Sequence, residues 1–77
     1  MSVKAYILLD TSSVGTTDIL SSLRAIDGVD SAEAVSGPHD IVMIVETADL
    51  KDLGDMVLTK IRTIEGVTKT ITCCCVQ

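Results

Sequence analysis

"LRAIDGV" (residues 23–29) and "IRTIEGV" (residues 61–67) share one pattern: apolar, Arg, small or polar, Ile, acid, Gly, Val. A repeat inside 77 residues marks one supersecondary unit used twice, and so sets the architecture before any other feature is considered. In each copy the glycine, Gly28 or Gly66, stands where a helix ends in a left-handed residue. A helical pattern precedes each copy, and an apolar run precedes each helical pattern.

Working outward, "VKAYILL" (residues 3–9) predicts the first strand. The loop after it carries helix-start residues, with Thr16 or Thr17 as the cap. Ile19, Leu20, Leu23 and Ile26 then fall at helical spacing and form one apolar stripe. Residues 29–36 predict a modest second strand. The second unit repeats the series: a strand over residues 41–46, then a helix capped by Thr47 or Asp49. Leu50, Leu53, Val57, Ile61 and Ile64 lie on one side of that helix, and a last strand follows over residues 67–76. The order β-α-β-β-α-β predicts an α+β, ferredoxin-like sandwich: a four-stranded antiparallel sheet with two helices on one face. Crossovers are right-handed. Strands one and three are central.

A strand with one face in water alternates apolar and polar residues. The two central strands do not. Val3, Ala5, Ile7 and Leu9 form one side of the first, with Tyr6 and Leu8 on the other; Ile41, Met43 and Val45 oppose Val42 and Ile44 in the third. Two helices cover only one face. The second is therefore expected to be an apolar patch of several hundred Å², more than monomers usually show. A second copy packed sheet to sheet about a two-fold axis covers it. A chain this short buries only about 60% of its unfolded surface, which also favours assembly.

Composition narrows the function. The net charge is −5, the wrong sign for a nucleic-acid surface, so no direct nucleic-acid partner is expected. No basic start leads into an apolar leader, and no run nears the roughly 20 apolar residues of a span, so a cytoplasmic protein without membrane contact is expected. Cys73, Cys74 and Cys75 are consecutive. Neighbours in a strand point to opposite faces, so the three are badly placed to pair or to form a tetrahedral zinc site. They are expected as small buried hydrophobes in a reducing compartment.

The turn in "VSGPHDIVMIV" (residues 35–45) holds the chain's one proline, its one histidine and a carboxylate. From Val35 onward the chain resembles the effector-binding half, the RAM domain, of the Lrp/AsnC transcription regulators. The residues that carry the resemblance are the Gly-x-x-Asp turn of Gly37 and Asp40 and the acidic helix start at Thr47 to Asp49. To these add "IEGV", with Glu65 where the family often has proline, and Thr70-Ile71-Thr72. The resemblance implies a single ligand-binding domain over residues 1–77, of the stand-alone kind that lacks a helix-turn-helix. It implies a homodimer through the sheet, dimers associating into larger rings, and an amino-acid effector at contacts between dimers near the turn. Regulation is then expected through a partner, such as a full-length relative.

On that expectation the ligand-binding residues are Gly37, Pro38, His39, Asp40, Thr70 and Thr72. Gly37 lets a carboxylate approach backbone amides. Asp40 supplies a counter-charge to an ammonium. Pro38 stiffens the turn. His39 alone is a weak signal for catalysis or metal binding. The threonines share a face of the last strand and line the pocket. No catalytic residue, metal ligand or cofactor is expected; Asp49, Asp52 and Asp55 suit a helix start and its dipole. The alternative is a small dimeric ferredoxin-like monooxygenase, which one Tyr and one His argue against. A metal carrier of the same topology would place Cys-x-x-Cys in the loop before the first helix, and that loop has no cysteine.

Overall fold

The chain forms one four-stranded sheet, its strands lying in the order second, third, first, fourth, with both helices on one side. The structure is a computed structural model that describes residues 2–12 and 16–76, Thr16 by its backbone alone. The elements are β1 (Val3–Thr11), α1 (Thr16–Arg24), β2 (Val29–Ala34), β3 (Ile41–Thr47), α2 (Leu50–Met56), a π-helical turn continuing α2 (Val57–Ile61), and β4 (Val67–Cys74). All pairings are antiparallel, and β1 and β3 are central as predicted. The predicted cap at Thr16 concerns a side chain outside the described residues; Thr17 lies inside α1.

Register shows what each face carries. On the helix side Ile41, Met43 and Val45 of β3 stand beside Leu9, Ile7 and Ala5 of β1, all fully buried. Ile19 and Leu23 of α1, and Leu53, Met56 and Ile61 of the second helix, close the core over them. Leu20, Ile26, Val57 and Ile64 of the expected stripes pack at its rim. Leu50 departs from expectation: it is exposed, because it begins the helix where the chain has only just left β3. Asp49 is the cap, its carboxylate accepting from Asp52 N–H at 2.8 Å, and Thr47 Oγ1 donates to Asp49 O. On the outer surface Lys51 donates to Asp55 at 3.0 Å, and that carboxylate raises the Lys51 ammonium above its ordinary value.

The repeat is visible as a two-fold likeness inside the core. Gly28 and Gly66 have φ of +96° and +98°, the left-handed region that glycine enters without strain. The Gly28 carbonyl accepts from Glu46 N–H at the end of β3; the Gly66 carbonyl accepts from Ser12 N–H beyond the end of β1. In each half the same pair of turn bonds precedes the glycine's successor: Ile26 N–H to Leu23 O, then Val29 N–H to Ile26 O, matched by Ile64 to Ile61 and Val67 to Ile64. The halves differ by one residue. Ile19 precedes Leu23 by four positions, whereas Met56 precedes Ile61 by five. The π-turn absorbs the extra residue, with Arg62 N–H reaching Val57 O, and Leu58 is turned out to solvent.

The two sheet edges also differ. Cys75 N–H donates to Lys4 O, so the odd-numbered residues of β4 bond to β1 while Thr70, Thr72 and Cys74 direct their backbone groups off the open edge. On β2 the outward carbonyl of Ala32 is taken by Arg24.

Candidate functional site

The turn of residues 37–40 is held at both ends. Val35 N–H donates to Asp40 O, and Asp40 N–H donates to Leu9 O, each at 2.9 Å. Asp40 Oδ2 accepts from Thr11 N–H at 2.8 Å and Thr11 Oγ1 at 3.3 Å. One carboxylate oxygen thus ties the turn to the end of β1, and Asp40 is otherwise exposed. Gly37 and Pro38 are exposed as well, with open space where a Gly37 side chain would stand. His39, a weak signal in the sequence, is not a solvated side chain. It is half-buried, its Nδ1 2.9 Å from Asp10 Oδ1. Asp10 and Thr11 had no motif to reveal them; only β1–β3 pairing brings them to the turn.

Thr70 and Thr72 stand opposite Leu9 and Ile7 on the helix side of β4. Thr70 is half-buried and Thr72 exposed. The turn adjoins β3, so β1 lies between it and the threonines. Within one chain the structure brings the turn together with Asp10 and Thr11, not with Thr70 or Thr72.

The outer face of the sheet carries two rows of side chains in register. Val42, Leu8 and Ile71 form one; Ile44, Tyr6 and Cys73 form the other. Four of the six are half-buried, while Tyr6, 41% exposed, and Cys73 stand out. Opposed charges bound the rows: Lys4 beside Glu46 at one end and Asp10 beside Lys69 at the other. Among the described residues no helix covers this face. The cysteines correct an expectation here. Cys73 and Cys74 are exposed and Cys75 is half-buried, because β4 is an edge strand that neither helix reaches across.

A concavity of about 340 Å³ lies on the β4 edge and is lined by Arg62, Val67, Thr68, Lys69 and Thr70. Its cations were not singled out by the sequence, because Arg62 sits inside the repeat and reads there as one more repeated position.

Residues 4–77 match the model of the Lrp/AsnC ligand binding domain. An uncharacterized HTH-type transcriptional regulator from Pyrococcus abyssi is 31% identical over 70 residues, which are 91% of this chain and 44% of the regulator. The chain thus spans less than half the length of such curated relatives. Among solved structures, a hypothetical protein from Pyrococcus horikoshii is similar with TM-score 0.90 and 32% identity, covering 97% of this chain and 90% of that one. AsnC of E. coli is similar with TM-score 0.91 and 25% identity, covering 97% and 51%. A transcriptional regulator from Neisseria meningitidis, described as an L-Met complex, shares the fold with TM-score 0.90 and 19% identity, covering 97% and 50%. A homocitrate synthase from Sulfurisphaera tokodaii is 36% identical over 61 residues, 79% of this chain, but that stretch is 13% of the enzyme. The matched family is a ligand-binding domain and the Pyrococcus abyssi relative a transcription regulator, while the likeness to the homocitrate synthase is confined to a small part of that enzyme; none of this supports the monooxygenase alternative that topology alone left open. With the fold, the register and residues 4–77 all in agreement, the chain belongs to the Lrp/AsnC ligand-binding domain family.

Proposed function

We propose that this chain is a regulatory module that binds an amino-acid effector at a contact between copies and acts on transcription through a partner in the cytoplasm. The observation that carries the reading is the family match over residues 4–77, from a family of transcription regulators. A fold shared with a regulator described in complex with L-Met is consistent with the ligand class.

Assembly proceeds through the open sheet face. Fully covering a Leu, Ile or Val contributes about 1.5–3 kcal/mol, and roughly half of that remains to be gained at half-buried positions. Val42, Leu8, Ile71 and Ile44 on each of two copies therefore supply several kcal/mol, enough to hold a dimer against its association cost. Larger rings of dimers follow from contacts at the turn. The acidic chain makes no direct contact with DNA, and a full-length relative sharing the sheet face is the natural partner.

The effector sits at the turn of Gly37, Pro38, His39 and Asp40. Asp40 Oδ2 is engaged by Thr11, and the other oxygen is left for the ligand's ammonium, with Asp10 adding negative charge nearby. Because β1 separates the turn from Thr70 and Thr72, the pocket is completed where copies meet. Calorimetry with each of the twenty amino acids tests this. Asp40→Asn keeps an acceptor for Thr11 and removes the charge, so it lowers effector affinity by about 1.5–3 kcal/mol while the fold persists. Equal affinity in Asp40→Asn, or binding by no amino acid, refutes the assignment.

A further inference from the structure

The second helix carries an apolar row that the core does not use. Leu50, Gly54 and Leu58 follow one another at intervals of four, so they line up on one side of the helix. The core draws Leu53, Met56 and Ile61 from another side. Leu50 is 64% exposed and Leu58 58%, which leaves most of both side chains in water. Between them Gly54 is exposed too, with open space where a side chain would stand. Glycine weakens a helix interior, and nothing inside the chain calls for one at this position. A bare position does permit the close approach of a second backbone.

Charges beside the row fix what can pack on it. Lys51 and Asp55 stand next to it, 3.0 Å apart and both exposed. Helix rise is about 1.5 Å per residue, so Lys51 lies about 4.5 Å before Gly54 and Asp55 about 1.5 Å after it. In an antiparallel copy of the same helix, centred on Gly54, Asp55 comes within about 3 Å along the axis of Lys51. Each helix then offers its cation to the other's acid, twice over. A parallel copy would set Lys51 beside Lys51 and Asp55 beside Asp55. Arg62 continues the row after Leu58. Its counterpart Arg24 donates to the Ala32 carbonyl and lies 3.5 Å from Glu33, but among the described residues the Arg62 side chain makes no hydrogen bond or ion pair. In the antiparallel arrangement it extends past Leu50 of the second copy, to the helix start where Asp49 and Asp52 place negative charge.

We propose that the row of Leu50, Gly54 and Leu58 is a docking surface for the same row of a second copy, the two helices antiparallel about a two-fold axis at Gly54. Each Leu50 then covers Leu58 of the other copy, and the glycines let the backbones meet between them. The surface lies in the helix layer, away from the open sheet face and the turn, and needs no effector. It therefore goes beyond the proposed function and does not rest on it. With two leucines from each copy the contact is small, so it forms above the micromolar range. Combined with a different two-fold contact, such as one through the sheet, it produces only even-numbered assemblies.

The test is nuclear magnetic resonance of the full, ¹⁵N-labelled chain from micromolar to millimolar concentration. The amides of Leu50, Gly54 and Leu58 are expected to shift saturably as concentration rises. L58E should weaken that association about tenfold or more, the effect of losing one central apolar anchor. G54Q should weaken it as well while leaving the denaturation midpoint no lower, because the position is open in the single chain. The charge pairs are tested by mixing. K51E alone sets acid against acid across the axis, and D55K alone sets cation against cation, so neither should associate with itself. Labelled K51E should nevertheless shift at Leu50, Gly54 and Leu58 when unlabelled D55K is added. A bond within one chain cannot produce that rescue, and contacts at the sheet face or the turn would not move these amides. Parent amides that stay fixed up to millimolar concentration overturn the proposal, as does L58E associating like the parent. A mixture of K51E and D55K that behaves as K51E alone overturns it too.

Discussion

Ile19 and Met56 hold equivalent places in the two halves of the core, each lying against the glycine that ends the other half's helix. A side chain added at Gly66 would meet Ile19 Cδ1 at 2.8 Å, and one added at Gly28 would meet Met56 Cε at 2.9 Å. The helices are therefore locked by reciprocal contacts, and each glycine serves both backbone conformation and packing.

Gly28→Ala and Gly66→Ala are expected to destabilise the fold by at least about 1–2 kcal/mol each, the cost of a left-handed non-glycine residue. At Gly28 the backbone oxygen of Glu46, 3.0 Å from the added carbon, cannot yield as a methyl group can. Gly28→Ala should therefore cost more than Gly66→Ala. Urea denaturation of the two variants checks both magnitude and order.

The π-turn is an insertion in the repeat, so its removal should be tolerated. Deleting Leu58, an exposed residue, restores the four-residue spacing found between Ile19 and Leu23. The variant is expected to fold, with a regular α-helix there and stability within about 1 kcal/mol of the parent. Chemical shifts through the helix and a denaturation midpoint decide the matter; loss of the cooperative transition would show that the extra residue is required.

Leu8→Lys places a charge at the centre of the first apolar row, between Val42 and Ile71. Light scattering of the parent should give at least twice the 8.1 kDa chain mass, and the variant should fall to one chain. The substitution is on the outer face, so circular dichroism should be unchanged. A parent that scatters as a single chain at micromolar concentration rules out assembly through the sheet.

Cys73 and Cys74 report on the same face from opposite sides of β4. Both are exposed in the single chain, but Cys73 shares the outer face with Tyr6 while Cys74 shares the helix side with Ala5. In the assembled protein, alkylation followed by mass spectrometry should modify Cys74 first and Cys73 slowly. Leu8→Lys should make the two react alike. Equal reactivity in the parent would place the interface elsewhere.

Much of this molecule was legible in the sequence because its signals are local. The paired "LRAIDGV" and "IRTIEGV" segments, the glycines that must adopt positive φ and the apolar runs of residues 3–9 and 41–46 depend only on near neighbours and periodicity. They determined the element order, the central strands and the uncovered second face. The Gly-x-x-Asp turn was legible as well, together with the family it resembles. The bonds that hold the turn were not: Thr11 on Asp40 and Asp10 on His39 join residues 29 positions apart, and no spacing rule spans that distance. Burial at the edges was decided in three dimensions too. The predicted order already put the last strand at an edge, but only the packed structure shows that neither helix reaches across it, which leaves Cys73 and Cys74 exposed. Arg24 and Arg62 make the same point most plainly. They are one letter in one repeated motif, but a carbonyl and Glu33 hold the first, while the second faces Thr70 with Ile71 in place of the acid. Sequence determines what a side chain can bind; the neighbours that the fold delivers decide whether that capacity is already used.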